Sequence, residues 1–153
     1  VVKCYGDIFA GYTQNPEEIL NKKFFDIKEY KDYVLLRDIN FTSTCEHHML
    51  PFSGVVDIAY IPDGVIIGLS KLARLVEVIA RRLQLQERLN TQIAQELQKH
   101  LKPKGVGVRV RASHSCMTHR GVQKQGSLME TVHFTGVYRE DNNKRQEFWS
   151  ILK

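Results

Sequence analysis

Residues 105–116 have the sequence GVGVRVRASHSC, and this stretch decides the fold class. Apolar side chains alternate along it with glycine, polar and charged residues, as Val106, Val108, Val110 and Ala112 against Gly107, Arg109, Arg111 and Ser113. A period of two predicts a β-strand with one buried face. The same alternation, continued to His114 and Cys116, places these two side chains on one face at the end of the strand.

Two stretches before this strand have the period of a helix. In the first, which begins after Gly68 with Ser70 as its N-cap, apolar residues recur three and four apart at Leu72, Leu75, Val76, Ile79 and Leu83. In the second, which Pro103 and Gly105 close, they recur four apart at Leu89, Ile93, Leu97 and Leu101. The sequence therefore predicts two consecutive amphipathic helices.

Strands are predicted on both sides of these helices. Residues 33–44 and 54–61 are rich in β-branched and aliphatic side chains, and a last strand is predicted at residues 128–138. A short helix follows, with its apolar residues at Phe148, Trp149 and Leu152. Residues 5–33 indicate only a short helix end and an irregular segment. The order predicts an α+β fold in which helices cover one face of a mainly antiparallel four-stranded sheet, with residues 1–153 as a single domain.

The composition narrows the class of protein. With 42% hydrophobic and 25% charged residues, the 153-residue chain has the composition of a soluble globular domain. It has neither an apolar run of roughly 18 residues nor an export signal, so we expect a cytoplasmic protein with no membrane partner. The net charge of +5 favours an anionic partner. Because the Lys and Arg residues are scattered, a nucleic acid is disfavoured, which leaves an acidic surface or a phosphorylated small molecule.

The three cysteines are an odd and widely spaced set, which argues for metal binding or catalysis over a disulfide framework. Cys45 and His48 follow a strand at a point where a turn can direct both at one ion. With Cys116 they form the ligand count of a catalytic zinc site, which keeps its fourth position for water. His47 and His114 lie beside these ligands and are candidate proton carriers. The alternative is a buried core thiol at Cys116 and an ordinary surface loop around Cys45.

Four segments of the chain can be compared with known signature sequences. They are CEHH at 45–48, followed by Pro51 and Phe52, GLSKLAR at 68–74, QLQERLN at 84–90, and HSCMTHRGVQK at 114–124. These segments resemble those of the GTP cyclohydrolase I family, in register over about residues 3–152. The resemblance implies the tunnelling fold, assembled as a toroidal homodecamer of two pentamers. It also implies conversion of GTP and water to 7,8-dihydroneopterin triphosphate and formate, the entry step to folate and biopterin.

The resemblance assigns the chemistry to particular residues. Zn²⁺ would be bound by Cys45, His48 and Cys116. His114 would be the acid and base at the purine imidazole ring. His47 and Ser70 would assist the later rearrangement and ring closure.

The resemblance also assigns the binding of GTP. Glu87, with Gln86 beside it, would bind the guanine edge, for which a carboxylate that accepts two N–H donors is suited. The triphosphate would be held by Lys71, Arg74, Arg120 and Lys3. Lys71 and Arg74 lie three residues apart on one helical face, as such a clamp requires, although the same spacing is found on an ordinary solvated face.

Some positions depart from the usual pattern of the family. Asn90 replaces the usual Thr, His119 replaces an apolar residue, and residues 129–132 replace a run richer in Thr and Ser. The N-terminal helical segment is expected to be largely missing, and with it a possible phosphate-binding arginine. These departures concern the surroundings of the pocket and not the proposed zinc ligands.

Two alternatives to the enzyme remain open in the sequence. One is a tunnelling-fold reductase of a deazapurine nitrile, which uses a cysteine nucleophile and no zinc, and the Cys2His set argues against it. The other is a catalytically silent zinc-binding paralogue that acts as a pterin-binding or interaction module. An assay of formate and pterin fluorescence with GTP separates these possibilities.

Overall fold

A computed structural model describes residues 1–25, 27 and 29–153. Its helices are α1 (Val2–Ile8), α2 (Pro16–Leu20), α3 (Leu69–Ala80), α4 (Gln86–Leu101), α5 (Ser115–Thr118), α6 (Val137–Glu140) and α7 (Asn142–Ile151), with a 3₁₀ turn at Ala10–Thr13. Its strands are β1 (Lys23–Phe24), β2 (Val34–Cys45), β3 (Pro51–Ile61), β4 (Ile66–Ile67), β5 (Leu83–Gln84), β6 (Gly105–His114) and β7 (Met129–Gly136). Residues 26 and 28 of the predicted irregular segment lie outside the described residues.

The central sheet has the strand order β5-β2-β3-β6-β7. Strands β2, β3, β6 and β7 pair antiparallel, which confirms the predicted four-stranded antiparallel arrangement. The two-residue strand β5 adds a short parallel pairing with Thr44 and Cys45 that the sequence did not predict. In the β3–β6 ladder, Phe52 lies opposite His114. The end of β2 that carries Cys45 and the end of β6 that carries His114 therefore meet at the same end of the sheet.

Helices α3 and α4 cover one face of this sheet, as the sequence predicts. Their buried stripes pack against the inward side chains of β3 and β6 in a single cluster, which includes Leu72, Leu75, Val76, Ile79, Leu89, Ile93, Leu97, Val56, Ile58, Val106, Val108 and Val110. Burial of this apolar surface is the main term that stabilises the fold. In the described part of the chain, no helix combines the length and apolar character needed to cross a membrane.

The start of α3 differs from its prediction. The predicted N-cap at Ser70 is wrong, because the helix begins at Leu69 and Gly68 is its N-cap. The N–H of Lys71 donates to the carbonyl of Gly68 at 2.8 Å, which closes the first turn two residues earlier than expected. Ser70 therefore lies in the first turn, where its exposed side chain is free of the capping role.

The end of α3 also differs from its prediction. Leu83 was expected on the apolar stripe but lies in β5, because Arg81 leaves the helical conformation with ψ at 56°. The hydroxyl of Ser43 donates to the carbonyl of Ala80 at 2.6 Å, which satisfies one of the last carbonyl groups of the helix. The chain then runs parallel to the end of β2, where Leu83 pairs with Thr44.

The C-terminal helices pack on the opposite side of the sheet. A second cluster consists of Ala59, Ile61, Tyr138, Phe148 and Leu152. It confirms the predicted short apolar helix, which is α7. A Cβ atom at Gly107 would lie 2.6 Å from a ring carbon of Phe148, so a glycine in β6 is what allows the ring to approach the strand.

A buried ion pair lies on β3 and β6. Asp57 is fully buried, and its carboxylate accepts hydrogen bonds from Arg109 Nε at 2.9 Å and from the backbone N–H of Asp38 at 2.9 Å. Arg111 lies 3.4 Å from the same carboxylate and 3.1 Å from that of Asp38. The carboxylate of Asp57 thus balances the positive charge of the Arg109 guanidinium, which is itself almost completely buried.

We expect Asp57→Ala to lower the free energy of unfolding by about 3–5 kcal/mol, because it leaves the buried charge of Arg109 uncompensated. The matched control is Asp38→Asn, which removes the charge from a mostly exposed pair with Arg111 and should cost less than about 1 kcal/mol. Denaturant unfolding of both variants at one protein concentration measures the difference. Equal losses in the two variants would contradict the assigned role of Asp57.

Candidate active site

The proposed metal ligands come from two separate parts of the chain. Cys45 ends β2, and a tight turn returns the chain to β3, with the N–H of Met49 donating to the carbonyl of Cys45 at 2.8 Å. This turn brings His48 Nδ1 to 3.7 Å from Cys45 Sγ. Cys116 joins them, so that the potential ligand atoms of the three residues all lie within 4.8 Å of one another. The structure thus brings the predicted set together.

The route by which Cys116 reaches this site differs from its prediction. The alternation was expected to continue through Cys116, but β6 ends at His114 and Cys116 lies in the short helix α5. The physical reason is that the partner strand β3 begins at Pro51, so pairing ends with Phe52 opposite His114. A helical turn, and not the face of a strand, places the second thiol beside the first.

The donor set of two thiols and one imidazole has the chemistry of a site for a borderline-soft cation. Burial raises the pKa of the Cys116 thiol, and the neighbouring Cys45 raises that pKa further. Two thiols at this distance do not readily lose both protons, because the two thiolates would repel each other. A bound divalent cation would compensate both negative charges. The residues present therefore fit a metal ion, with His48 on the exposed side and Cys45 on the buried side.

His114 lies next to this set in a rigid environment. Its ring stacks on Phe52 with the centroids 4.5 Å apart and the planes 4° apart. Its Nε2 atom lies 2.8 Å from Oε1 of Gln86, the first residue of α4. Burial lowers the pKa of His114, and the negative charge of Glu87 opposes this shift to a smaller extent. This environment therefore favours the neutral imidazole over the charged one.

Comparison with known proteins identifies the family of this chain. A sequence model described as GTP cyclohydrolase I matches residues 1–153. This chain belongs to the GTP cyclohydrolase I family. The protein named GTP cyclohydrolase 1 of Rickettsia felis is 52% identical over 151 residues, which are 99% of this chain and 80% of that protein. Its namesake in Rickettsia bellii is 53% identical over 151 residues, which are 99% of this chain and 79% of that protein.

The solved structures agree on the fold. The crystal structure of the archaeosine synthase QueF-Like in the apo form has a TM-score of 0.57 and 22% identity, and the match covers 68% of this chain and 93% of that chain. At this identity the likeness concerns the fold alone, and the chain has the tunnelling fold. Because the chain belongs to the GTP cyclohydrolase I family, we reject the alternative that it is a nitrile reductase.

The structure places the other residues that the family resemblance singled out mostly on exposed surfaces. His47 is exposed and its ring meets that of His48 edge to face, with centroids 6.1 Å apart. Glu87 is exposed in the first turn of α4, close enough to His114 for its charge to act on that ring. Arg120 lowers the pKa of Cys116 slightly, which places its charge near the ligand set.

The remaining residues lie on two helices. Ser70, Lys71 and Arg74 are on α3, and Lys3 is on α1. Among the described residues, these four side chains form no hydrogen bond or salt bridge with the proposed metal ligands. A cavity of about 660 Å³ opens between α1, α3 and β2, and its lining includes Cys4, Ser43 and Arg81 but none of the predicted site residues. Arg120 thus lies near the metal ligands, whereas no hydrogen bond or salt bridge among the described residues joins Lys3, Lys71 or Arg74 to them.

A contact that the sequence did not predict holds the ligand turn in place. Both terminal nitrogens of Arg88 donate to the two carboxylate oxygens of Glu46, one of them at 2.9 Å. The N–H of Glu46 also donates to the carbonyl of Gln84 at 3.1 Å. Because Glu46 follows Cys45 directly and Arg88 follows Glu87, the pair ties the ligand turn to the first turn of α4. No local signal joins two residues that lie 42 positions apart.

Two of the departures from the family pattern contact each other. Asn90 is buried, and its Nδ2 atom lies 3.1 Å from Oγ1 of Thr131 in β7. Thr131 also lies 3.2 Å from Nε2 of Gln86. The third departure, His119, instead contacts Thr118 at 2.7 Å in the segment after α5. The changes at positions 90 and 131 therefore belong to the packing behind Gln86.

Proposed function

We propose that this chain is a zinc-dependent GTP cyclohydrolase that opens the purine ring of GTP, releases formate and forms 7,8-dihydroneopterin triphosphate. The observation that carries the proposal is the convergence of Cys45, His48 and Cys116 beside His114 in a chain of the GTP cyclohydrolase I family. The proposed product makes this reaction the first step of pterin and tetrahydrofolate synthesis.

Zinc, when bound by Cys45, His48 and Cys116, would supply a Lewis acid that makes water reactive at neutral pH. His114 would carry the proton that the imidazole ring of the purine needs as its C–N bond breaks. The stacked Phe52 ring holds the imidazole of His114 in one plane and excludes water from one of its faces. A neutral His114 can accept a proton as well as return one, which suits a reaction with more than one proton transfer.

His47 and Ser70 would act after ring opening. Both are exposed, and His47 lies on the same turn as His48. A second imidazole at this position can transfer protons during the rearrangement of the ribose carbons and ring closure. The hydroxyl of Ser70, in the first turn of α3, is proposed to take part in those later steps.

Binding of GTP would divide between its two ends. The carboxylate of Glu87 would accept hydrogen bonds from the N–H groups of the guanine edge, near His114. The triphosphate would be held by four cationic side chains, Lys71, Arg74, Arg120 and Lys3. Among the described residues none of these four has a salt-bridge partner, so their charges are available to an anion.

Purified protein incubated with zinc and GTP should release formate and develop pterin fluorescence, and removal of the metal by a chelator should abolish both signals until zinc is restored. Zinc-loaded protein that binds GTP but yields neither product would establish the silent paralogue in place of the enzyme. Formate without the pterin signal would restrict the activity to ring opening.

We also propose that the chain acts as a homo-oligomer, assembled as a decamer of two pentamers. The support is the pair of strand edges at the two sides of the sheet. In the described part of the chain, β5 pairs with Thr44 and Cys45 alone, which leaves most of β2 at one edge, and β7 forms the other edge. Exposed edges of this length favour pairing with another copy. Neighbouring copies would also bring Lys3, Lys71 and Arg74 to a set of metal ligands with which, in the described part of one chain, they form no hydrogen bond or salt bridge.

We expect sedimentation at micromolar concentration to give a mass about tenfold that of the 17.7 kDa chain. The physical reason is that edge-to-edge pairing buries the open sides of every sheet when the ring closes. Dilution series at several salt concentrations serve as the control for weak association. A mass of 17.7 kDa at micromolar concentration would contradict the assembly.

A further inference from the structure

The side chain of Gln86 lies in the interior of the protein, with an exposed fraction of 1%. Its Nε2 atom lies 3.1 Å from the carbonyl oxygen of Val110 and 3.0 Å from that of Met129. Carbonyl oxygens can only accept hydrogen bonds, so the atom that faces them must be the NH₂ group. The orientation of this amide is therefore fixed by its partners on β6 and β7.

This orientation directs the amide oxygen of Gln86 at His114. Oε1 lies 2.8 Å from Nε2 of the imidazole, and an amide oxygen has no hydrogen to donate. Nε2 of His114 must therefore carry a hydrogen in both the neutral and the charged ring. Phe52, stacked on the ring, prevents it from turning over. In the neutral ring the free lone pair is consequently on Nδ1.

The Nδ1 atom of His114 is not buried by protein contacts. Among the described residues it has no hydrogen-bond partner, and it is not among the buried polar atoms that lack one. A neutral Nδ1 can accept a proton, and a protonated Nδ1 can return it to a nitrogen of the substrate. In each transfer only the Nδ1–H bond forms or breaks, and the Nε2–H bond to Gln86 is unchanged.

We propose that Gln86 is a positioning residue that sets the tautomer of His114, so that Nδ1 is the atom that exchanges protons with the substrate. This inference rests on the proposed function. It gives Gln86 a role different from binding the guanine edge, because both hydrogens of its NH₂ group are directed at protein acceptors. Glu87, the next residue, has its carboxylate exposed and keeps the guanine role.

The test compares Gln86→Leu with two matched variants. Gln98→Leu removes another α4 glutamine that bridges to Pro103 and Thr135 and lies outside the site, so it controls for lost structural hydrogen bonds. Glu87→Gln removes the proposed guanine acceptor. We expect Gln86→Leu to keep its zinc and its GTP dissociation constant but to release formate roughly tenfold to hundredfold more slowly in a single turnover. Glu87→Gln should chiefly weaken GTP binding, and Gln98→Leu should do neither.

A double-variant cycle separates positioning from a general structural effect. If Gln86 acts through His114, then Gln86→Leu should slow formate release in the parent but cause no further loss in a His114→Ala background. Additive rate losses would overturn the inference. Weakened GTP binding by Gln86→Leu with an unchanged rate at saturating GTP would overturn it equally.

Two further arms keep the test decisive. In Gln86→Glu a protonated carboxyl can donate to the carbonyl of Val110 or Met129 with one oxygen and accept from Nε2–H with the other, so this variant should keep the Nε2–H signal and release formate faster than Gln86→Leu does. In protein with ¹⁵N-labelled histidine rings, the hydrogen-bonded Nε2–H signal of His114 should be absent in His114→Ala and lost in Gln86→Leu, whether or not the parent is active. A parent without formate release would refute the proposed function, whereas an unchanged Nε2–H signal in Gln86→Leu would refute this inference.

Discussion

Replacing Cys116 with alanine is expected to abolish zinc binding and, with it, the release of formate. The variant leaves Cys45 and His48, two ligands from one turn, and a catalytic zinc site in a protein needs three. The remaining thiol and imidazole still lie 3.7 Å apart, so the loss would come from the missing ligand and not from a collapsed turn. Metal analysis after gel filtration, together with a formate assay, measures both effects.

The chain offers a matched control in Cys4. This thiol is exposed on α1 and is not part of the ligand set, so Cys4→Ala should keep the full zinc content and activity. Circular dichroism of both variants tests whether the fold is retained. Full zinc occupancy in Cys116→Ala would remove this residue from the metal site.

Replacing His114 with alanine is expected to slow ring opening on the order of a hundredfold to ten-thousandfold, the usual contribution of a positioned acid and base. Zinc and GTP binding should persist, because the ring is neither a proposed metal ligand nor a proposed guanine acceptor. Single-turnover formate release measures the chemical step, and equilibrium binding of GTP measures the affinity.

His100 provides the control for this second variant. It is a partly buried histidine near the end of α4, where it contacts Glu96 at 3.1 Å. His100→Ala removes a ring of the same kind from outside the site and should leave formate release unchanged. A His114→Ala protein that turns over GTP at the parent rate would show that another group carries the proton.

The sequence predicted the elements whose burial repeats regularly. Helices α3 and α4 were found because each buries one stripe of apolar side chains, which leaves a period of three to four residues. Strand β6 was found because its apolar side chains alternate with other residues, but the expectation of one buried face was wrong, since α7 covers the second face and residues 105–110 are all buried. Helix α1 has no buried residue and therefore no such period. Strand β5 has two residues and depends on pairing with Thr44 and Cys45, which lie about 40 positions away, so no local pattern could reveal it.

The candidate site was predicted in its residue types and not in its contacts. The Cys2His set could be chosen from chemistry, and the structure brings those three side chains together. The predicted position of Cys116 on the face of a strand was wrong, because the end of β6 depends on where its partner β3 begins. The contacts of Gln86 with His114 and of Glu46 with Arg88 join residues 28 and 42 positions apart. Such pairings follow from the assembled sheet and helices, and single-sequence patterns do not contain them.

The positions of the three ligands along the chain have a consequence for folding. Cys45 and His48 belong to one turn, and Cys116 follows about 70 residues later, so an ion held by all three is a cross-link that closes a long loop. A cross-link of this kind adds the free energy of metal binding to the folded state, because the unfolded chain offers no assembled site. The metal would then be part of the folding equilibrium itself, and we expect resistance to heat and denaturant to rise with free zinc concentration even when no nucleotide is present.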